Sequence, residues 1–217
     1  MLFFAETLKK DTYMNTLLKI HHRFVFSILC LFLFFPETLI SQNLQDQNCF
    51  TILVGTEASD NGAVLLAHNE DDSGERMVNW FKMKSLAAPD FEFSYLFPEK
   101  GYPYDSTLAY FWLDMPEMHF SDSYVNSKGV AIVSNQCLSR EDKPSITKGG
   151  LTYELRNCMA AFAHSARDAV KIASILIEKY GYASSGRTYC IADSHEAWML
   201  SVVNGKHWIA ARIPDNE

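Results

Sequence analysis

The sequence predicts an α+β fold. Three observations predict it: short apolar runs rich in β-formers and bounded by turn residues, an Asn-Gly pair between two such runs, and two helical stretches lying between the strand-like ends of the region past residue 48. Residues 50–55 and 63–68 are the first two strand candidates. Between them Ser59-Asp60-Asn61-Gly62 supplies turn chemistry, with Gly62 able to take positive φ, so the pair reads as a hairpin. Residues 72–127 are rich in aromatics interrupted by Pro and Gly. They read as short strands and long loops whose rings either pack a core or line a cleft. Residues 129–134 form a further strand candidate.

The helices come next. Residues 151–163, after Gly150, are the first. Ser165 is placed to cap the second, with Asp168 three positions on, where a capping box puts its acidic residue. Ala169, Ala173, Leu176, Ile177 and Tyr180 then recur at helical spacing, and Gly181 closes the helix. This is an amphipathic helix laid on a sheet. Residues 187–192 and 197–203 are strands around a polar turn, and Asn204-Gly205 separates the latter from residues 208–213. An Asn-Gly pair between apolar runs is the strongest short-range hairpin signal, so the sheets are expected to be antiparallel.

The segment ahead of Cys49 reads as targeting sequence. Lys19, His21, His22 and Arg23 form a basic stretch, and residues 24–35 are a twelve-residue apolar run ended by Pro36. That run suits a signal peptide and falls short of the ~20 residues a bilayer helix needs. Ser41 is a plausible residue before a cut, and translation starts at Met1 or Met14. Residues 42–48 are polar and read either as a short propeptide or as a retained tail. The domains expected are therefore residues 1–48, leader plus propeptide, and residues 49–217. Export to a periplasmic or extracellular space is expected, with no stable membrane span once the leader is cut; an uncut leader would anchor the chain.

Composition narrows the partners. The leader holds four basic and four acidic residues, so residues 49–217 keep the whole chain's net charge of −7. An acidic surface without clustered Lys and Arg disfavours nucleic acid. Cys137, Cys158 and Cys190 lack paired spacing with Cys49 or each other. They are expected to be structural thiols, with neither a disulfide framework nor a zinc site. A homo-oligomer is left open.

Cys49 begins the run Cys49-Phe50-Thr51-Ile52-Leu53-Val54-Gly55. If processing exposes it, one residue carries a thiol nucleophile and an α-amine of unperturbed pKa ~7.7–8.0, which can serve as its base. The competing reading is a core Cys at the start of a strand. His68-Asn69-Glu70-Asp71-Asp72 closes the second strand and is either a solvated loop or a site. Glu70 and Asp71 point to opposite sides of an extended chain, so at most one reaches the thiol. Asn135, at the end of its strand, is either a turn residue or a neutral donor to an oxyanion.

These blocks resemble the cysteine-type dipeptidases of the N-terminal nucleophile hydrolase superfamily, relatives of the secernins. The match runs through the Cys49 run, Ala67-His68-Asn69-Glu70-Asp71 and Asn126-Ser127-Lys128-Gly129-Val130-Ala131-Ile132. It continues with Ala166-Arg167-Asp168-Ala169-Val170, Glu178-Lys179-Tyr180-Gly181-Tyr182, Ile191-Ala192-Asp193-Ser194-His195-Glu196-Ala197-Trp198 and Trp208-Ile209-Ala210-Ala211-Arg212-Ile213-Pro214-Asp215. The resemblance implies an αββα sandwich of two antiparallel sheets between helical layers, the nucleophile heading the first strand. It implies hydrolysis of dipeptides without metal or organic cofactor. By position, Cys49 is the nucleophile and its amine the base. Asp71 matches the acidic residue of the superfamily's R-N-x-D pattern, with His68 and Asn69 as substrate-binding positions. Asn135 lies about one residue from the oxyanion Asn of related acylases. The pattern has Arg where this chain has His68, and a neutral imidazole does not replace a guanidinium. Family members are longer, so the chain is expected to be C-terminally truncated. The readings carried forward are a dipeptidase, an acylase of another small amide, and a non-catalytic fragment.

Overall fold

A computed structural model describes residues 49–70, 79–97, 101–115, 120–137 and 149–217. Residues 1–48, expected to be leader and propeptide, and Asp71 lie outside the described residues. Nine strands and two α-helices are described: β1 Phe50–Val54, β2 Leu65–Asn69, β3 Asn79–Met83, β4 Tyr110–Met115, β5 Phe120–Asn126, β6 Ala131–Gln136, α1 Glu154–Phe162, α2 Ala166–Tyr180, β7 Arg187–Ala192, β8 Ala197–Val202 and β9 Trp208–Arg212. Strands β3 to β9 form one seven-stranded sheet in sequence order, every pair antiparallel. Strands β1 and β2 form a separate two-stranded sheet. The α+β expectation and the antiparallel pairing both stand. Of the expected sandwich, the described residues hold two antiparallel sheets and two helices packed on the larger one.

Period-two alternation decides which face each strand side chain takes. On β6 and β7, Ile132, Tyr189 and Ile191 join the core beneath the helices. Cα partners Asn135 and Thr188, and Val133 and Cys190, fall on the other face, where β1 packs. Helix α1 is buried along nearly its whole length, and α2 lays Ala169, Val170, Ala173, Leu176 and Ile177 into the same core. Ser165 caps α2 by accepting the Asp168 N–H at 3.1 Å, and Gly181 ends it with φ 79°. The Asp193 carboxylate accepts from the Ala166 N–H at 2.7 Å, tying the β7–β8 turn to the start of α2.

One sequence expectation needs correction. The Asn204-Gly205 pair does not make a two-residue turn: Val203 N–H donates to the His207 carbonyl, and Gly205, φ 107°, bonds Tyr182 instead. Contact with the chain after α2 draws the loop out. The aromatic stretch holds the short strands β3, β4 and β5 among loops, as its sequence leads one to expect. Phe91, Phe97, Tyr110 and Tyr124 pack the core beside Phe162, which makes edge contacts with Phe91 and Phe97.

One irregularity positions the site. The β4–β5 register shifts between Phe111 and Leu113, and Ser123 sits at φ 56°. The β5–β6 ladder carries only Tyr124↔Ile132 and Val125↔Ala131. A bulge of this kind re-aims the neighbouring side chain. Here that side chain is Asp122.

Candidate active site

Cys49 heads β1, half-buried, and its thiol donates to Glu70 Oε1 at 3.3 Å. The β1–β2 register sets Thr51 opposite His68. By alternation Cys49, Thr51, His68 and Glu70 share the face toward the large sheet, whereas Phe50, Ile52, Ala67 and Asn69 are exposed on the other. Asn69 therefore stands on the face opposite the thiol and does not join the site. Glu70 reaches the sulfur, while Asp71 lies outside the described residues.

His68 is the hub of the cluster. Its side chain is 4 % exposed, and Nε2 lies 2.7 Å from Asp122 Oδ2 and 3.1 Å from Glu70 Oε2. Nδ1 lies 2.9 Å from Thr51 Oγ1. Thr51 spends its one hydrogen on Asn135 Oδ1, at 2.6 Å. The Thr51 oxygen can then only accept from Nδ1–H, and the carboxylates can only accept from Nε2–H, so both ring nitrogens carry hydrogen. The ring is a cation. Burial alone would lower its pKa, but hydrogen bonds to Asp122 and Glu70 and their charges outweigh that and raise it to about 9. This corrects the expectation of a neutral imidazole: His68 supplies a positive charge at neutral pH where the family pattern has Arg. Both nitrogens are engaged within the chain, which leaves His68 no donor for a substrate.

Behind His68, Asp122 is 1 % exposed and Arg156 Nη1 approaches its Oδ1 at 3.6 Å. Burial would raise the Asp122 pKa, but the His68 hydrogen bond and the Arg156 charge hold it below the usual carboxylate range. The ligand atoms of His68, Glu70 and Asp122 lie within 4.8 Å of one another, spacing that could hold a metal ion. A protonated ring has no lone pair to offer one, and Arg156 already neutralises Asp122, so the cluster is an ion-pair network.

Cys49, Thr51, Leu53, Asn135, Thr188, Cys190 and Met199 line a cleft of about 470 Å³. Small-molecule pockets span ~300–1,000 Å³, and this cleft falls in that range. Asn135 Nδ2 is buried and has no hydrogen-bond partner among the described residues. An unmet buried donor is costly, so one at a cleft wall is a place where a ligand atom would be welcome. Cys190 is buried, which pushes its thiol up. None of the four described cysteines is in a disulfide.

Residues 48–217 match Peptidase family C69. The chain belongs to peptidase family C69. It is 27% identical over 195 residues to a probable dipeptidase of Latilactobacillus sakei, covering 77% of this chain and 37% of that relative. It is 28% identical over 176 residues to a probable dipeptidase of Salmonella dublin, covering 76% and 40%. It is 27% identical over 190 residues to a dipeptidase of Bifidobacterium longum, covering 77% and 35%. The chain thus spans 40% or less of the length of these relatives.

Within this C69 domain, Thr51, Asp122 and Arg156 were not found from sequence. Thr51 had a signal: it lies two residues past Cys49, and the hairpin pairs it with His68. Arg156 had one too, as the lone charged residue between Leu155 and Phe162. Asp122 had none, because its direction depends on the β5 bulge.

Proposed function

We propose that residues 49–217 carry the nucleophile-bearing part of a cysteine dipeptidase whose mature chain starts at Cys49. The observation that carries the proposal is that Cys49, at a strand head, and Asn135, whose buried Nδ2 has no partner among the described residues, line the same cleft. The C69 match starts at residue 48, which supports reading the residues before Cys49 as leader and propeptide of an exported protein. The names of the relatives support dipeptides as substrates. The apolar cleft residues Leu53 and Met199 suit an uncharged substrate side chain.

The mechanism follows from the geometry. Cleavage before Cys49 unblocks its α-amine, which takes the proton from Sγ; Glu70 holds the thiol until then. The thiolate attacks the scissile carbonyl carbon, and the developing oxyanion accepts from Asn135 Nδ2–H. The tetrahedral adduct collapses with cleavage of the C–N bond, and the ammonium returns its proton to the departing amine. Water, deprotonated by the same amine, then attacks the thioester and releases the acid and the thiol.

Intact-mass measurement of the mature protein, paired with dipeptide hydrolysis by wild type and Cys49→Ala, tests this. The expected result is a chain beginning at Cys49, with turnover abolished in the variant and its thermal melt unchanged. A mature chain beginning elsewhere, or full activity in Cys49→Ala, overturns it. Turnover of acyl amides alone, with dipeptides untouched, would assign the same site to an acylase.

A further inference from the structure

We infer that His68, acting through Thr51, sets which end of the Asn135 side-chain amide faces the cleft. The inference rests on the proposed role of Asn135 as oxyanion donor. Thr51 and His68 are positioning residues: neither touches the reacting atoms.

Hydrogen accounting allows the chain His68–Thr51–Asn135 two settings. In the first, the ring carries hydrogen on both nitrogens. Nδ1–H donates to Thr51 Oγ1, the Thr51 hydroxyl donates to Asn135 Oδ1, and Nδ2 is left buried and without a partner among the described residues, on a residue of the cleft wall. Each bond runs the same way, so the buried cation also polarises the amide toward stronger donation. In the second, the ring is neutral and keeps its one hydrogen on Nε2, between the carboxylates of Asp122 and Glu70. Nδ1 then offers a lone pair and takes the Thr51 hydrogen. The Thr51 oxygen can only accept, so Asn135 must turn its amide by half a rotation to present Nδ2. That turns Oδ1 into the cleft, where its lone pairs oppose an oxyanion.

The surroundings hold the first setting at neutral pH. Glu70 and Asp122 face Nε2, Arg156 and Ser134 lie behind Asp122, and Arg187 bonds Ser134. The two carboxylates favour the ring cation over the neutral form. Cys190, beside Thr51, keeps its proton because burial pushes its thiol up, so it does not claim the hydroxyl hydrogen as a thiolate would. An Arg at position 68 would hold one setting at every pH; a His makes it reversible.

The test is the pH profile of kcat for dipeptide hydrolysis by the mature protein, in wild type, Thr51→Val, Thr51→Ser and His68→Arg. Thr51→Val keeps the shape and removes the hydroxyl. It is expected to lower kcat about 10- to 100-fold at neutral pH with KM nearly unchanged, short of the ~10²–10³-fold cost of deleting an oxyanion donor. Thr51→Ser restores most of the loss. Wild type loses kcat on the alkaline side, and that limb is absent in Thr51→Val and in His68→Arg. Wild-type kcat in Thr51→Val, equal losses in Val and Ser, or an alkaline limb kept in Thr51→Val overturns the inference while the dipeptidase reading stands. Should His68→Arg fail to fold, the Val and Ser pair decides. A wild type that turns over no dipeptide overturns the dipeptidase reading itself and the inference with it.

Discussion

His68 of the two-stranded sheet and Asp122 of the seven-stranded sheet meet at 2.7 Å, nearly excluded from water. Their contact joins the ribbon that carries Cys49 to the main body through an ion pair as well as through packing. The pair makes stability depend on pH from both sides. The folded-state pKa of His68 is raised to about 9, so its contribution is complete below the unfolded value of ~6.5 and is lost as pH rises through 9. That of Asp122 is lowered, so its contribution is present above ~3.9 and is lost as pH falls through the folded value. Denaturant midpoints should therefore stay level between about pH 4 and 6.5 and fall between about pH 6.5 and 9. In His68→Gln, which cannot titrate, the alkaline fall should vanish from a lower plateau. An unchanged alkaline fall in that variant would remove His68 as its source.

Asp122 faces two cations, His68 and Arg156, and this predicts an order of costs. Breaking a buried pair by removing one partner typically costs ~3–5 kcal/mol, because the other charge is left uncompensated. Asp122→Asn leaves both the His68 ring and the Arg156 guanidinium facing a neutral amide. Arg156→Met leaves Asp122 still paired with His68. Urea denaturation should place Asp122→Asn at the upper end of that range or beyond it, and Arg156→Met below it. The double variant should cost less than the two single losses added together, since they share the same charge.

The elements legible in the sequence were those set by local chemistry. Ser165 and Gly181 bound α2 because a side-chain cap and a left-handed glycine are properties of a few adjacent residues. The hairpin of β1 and β2 was legible for the same reason, and with it the placing of Cys49 at a strand head. Within the site, Cys49 and Asn135 were legible, and Glu70 was one of two acids left open. The rest depends on long-range register. Asp122 turns toward His68 because β5 bulges at Ser123, a feature of how β4, β5 and β6 fit together. The His68 charge is not legible because it depends on Asp122 as well as Glu70 to outweigh burial, and nothing near His68 in sequence announces Asp122.

Asn135→Ala should act on the chemical step. The amide bonds Thr51 through Oδ1 and keeps a buried Nδ2 with no partner among the described residues, so on the proposed mechanism its removal deletes the donor to the developing oxyanion. Losing one such donor lowers kcat by ~10²–10³. KM should change little, because a ground-state carbonyl needs the donor less than an oxyanion does. Steady-state kinetics on a dipeptide would check this; a rise in KM at constant kcat would assign Asn135 to ground-state binding instead.

Gly55 follows β1 directly, and the backbone after β9 closes over it. A Cβ at position 55 would collide with the backbone carbonyl oxygens of Pro214 and Asp215, which no side-chain rotation can relieve. The same stretch is held by backbone bonds from Glu57 N–H to the Asp215 carbonyl at 2.6 Å and from Ala58 N–H to that carbonyl at 3.1 Å. Gly55→Ala must therefore push residues 214–215 away or tilt β1. Overpacking of this kind typically costs ~1–3 kcal/mol. Because β1 carries Cys49 and Thr51, a tilt would also move the thiol relative to Asn135 on the other sheet. The expected outcome is a lower thermal midpoint together with a loss in kcat exceeding that of Ser165→Ala, whose lost helix cap costs ~1 kcal/mol far from the cleft. Equal stability losses with equal activities in the two variants would show that the ribbon keeps its place without the close approach at Gly55.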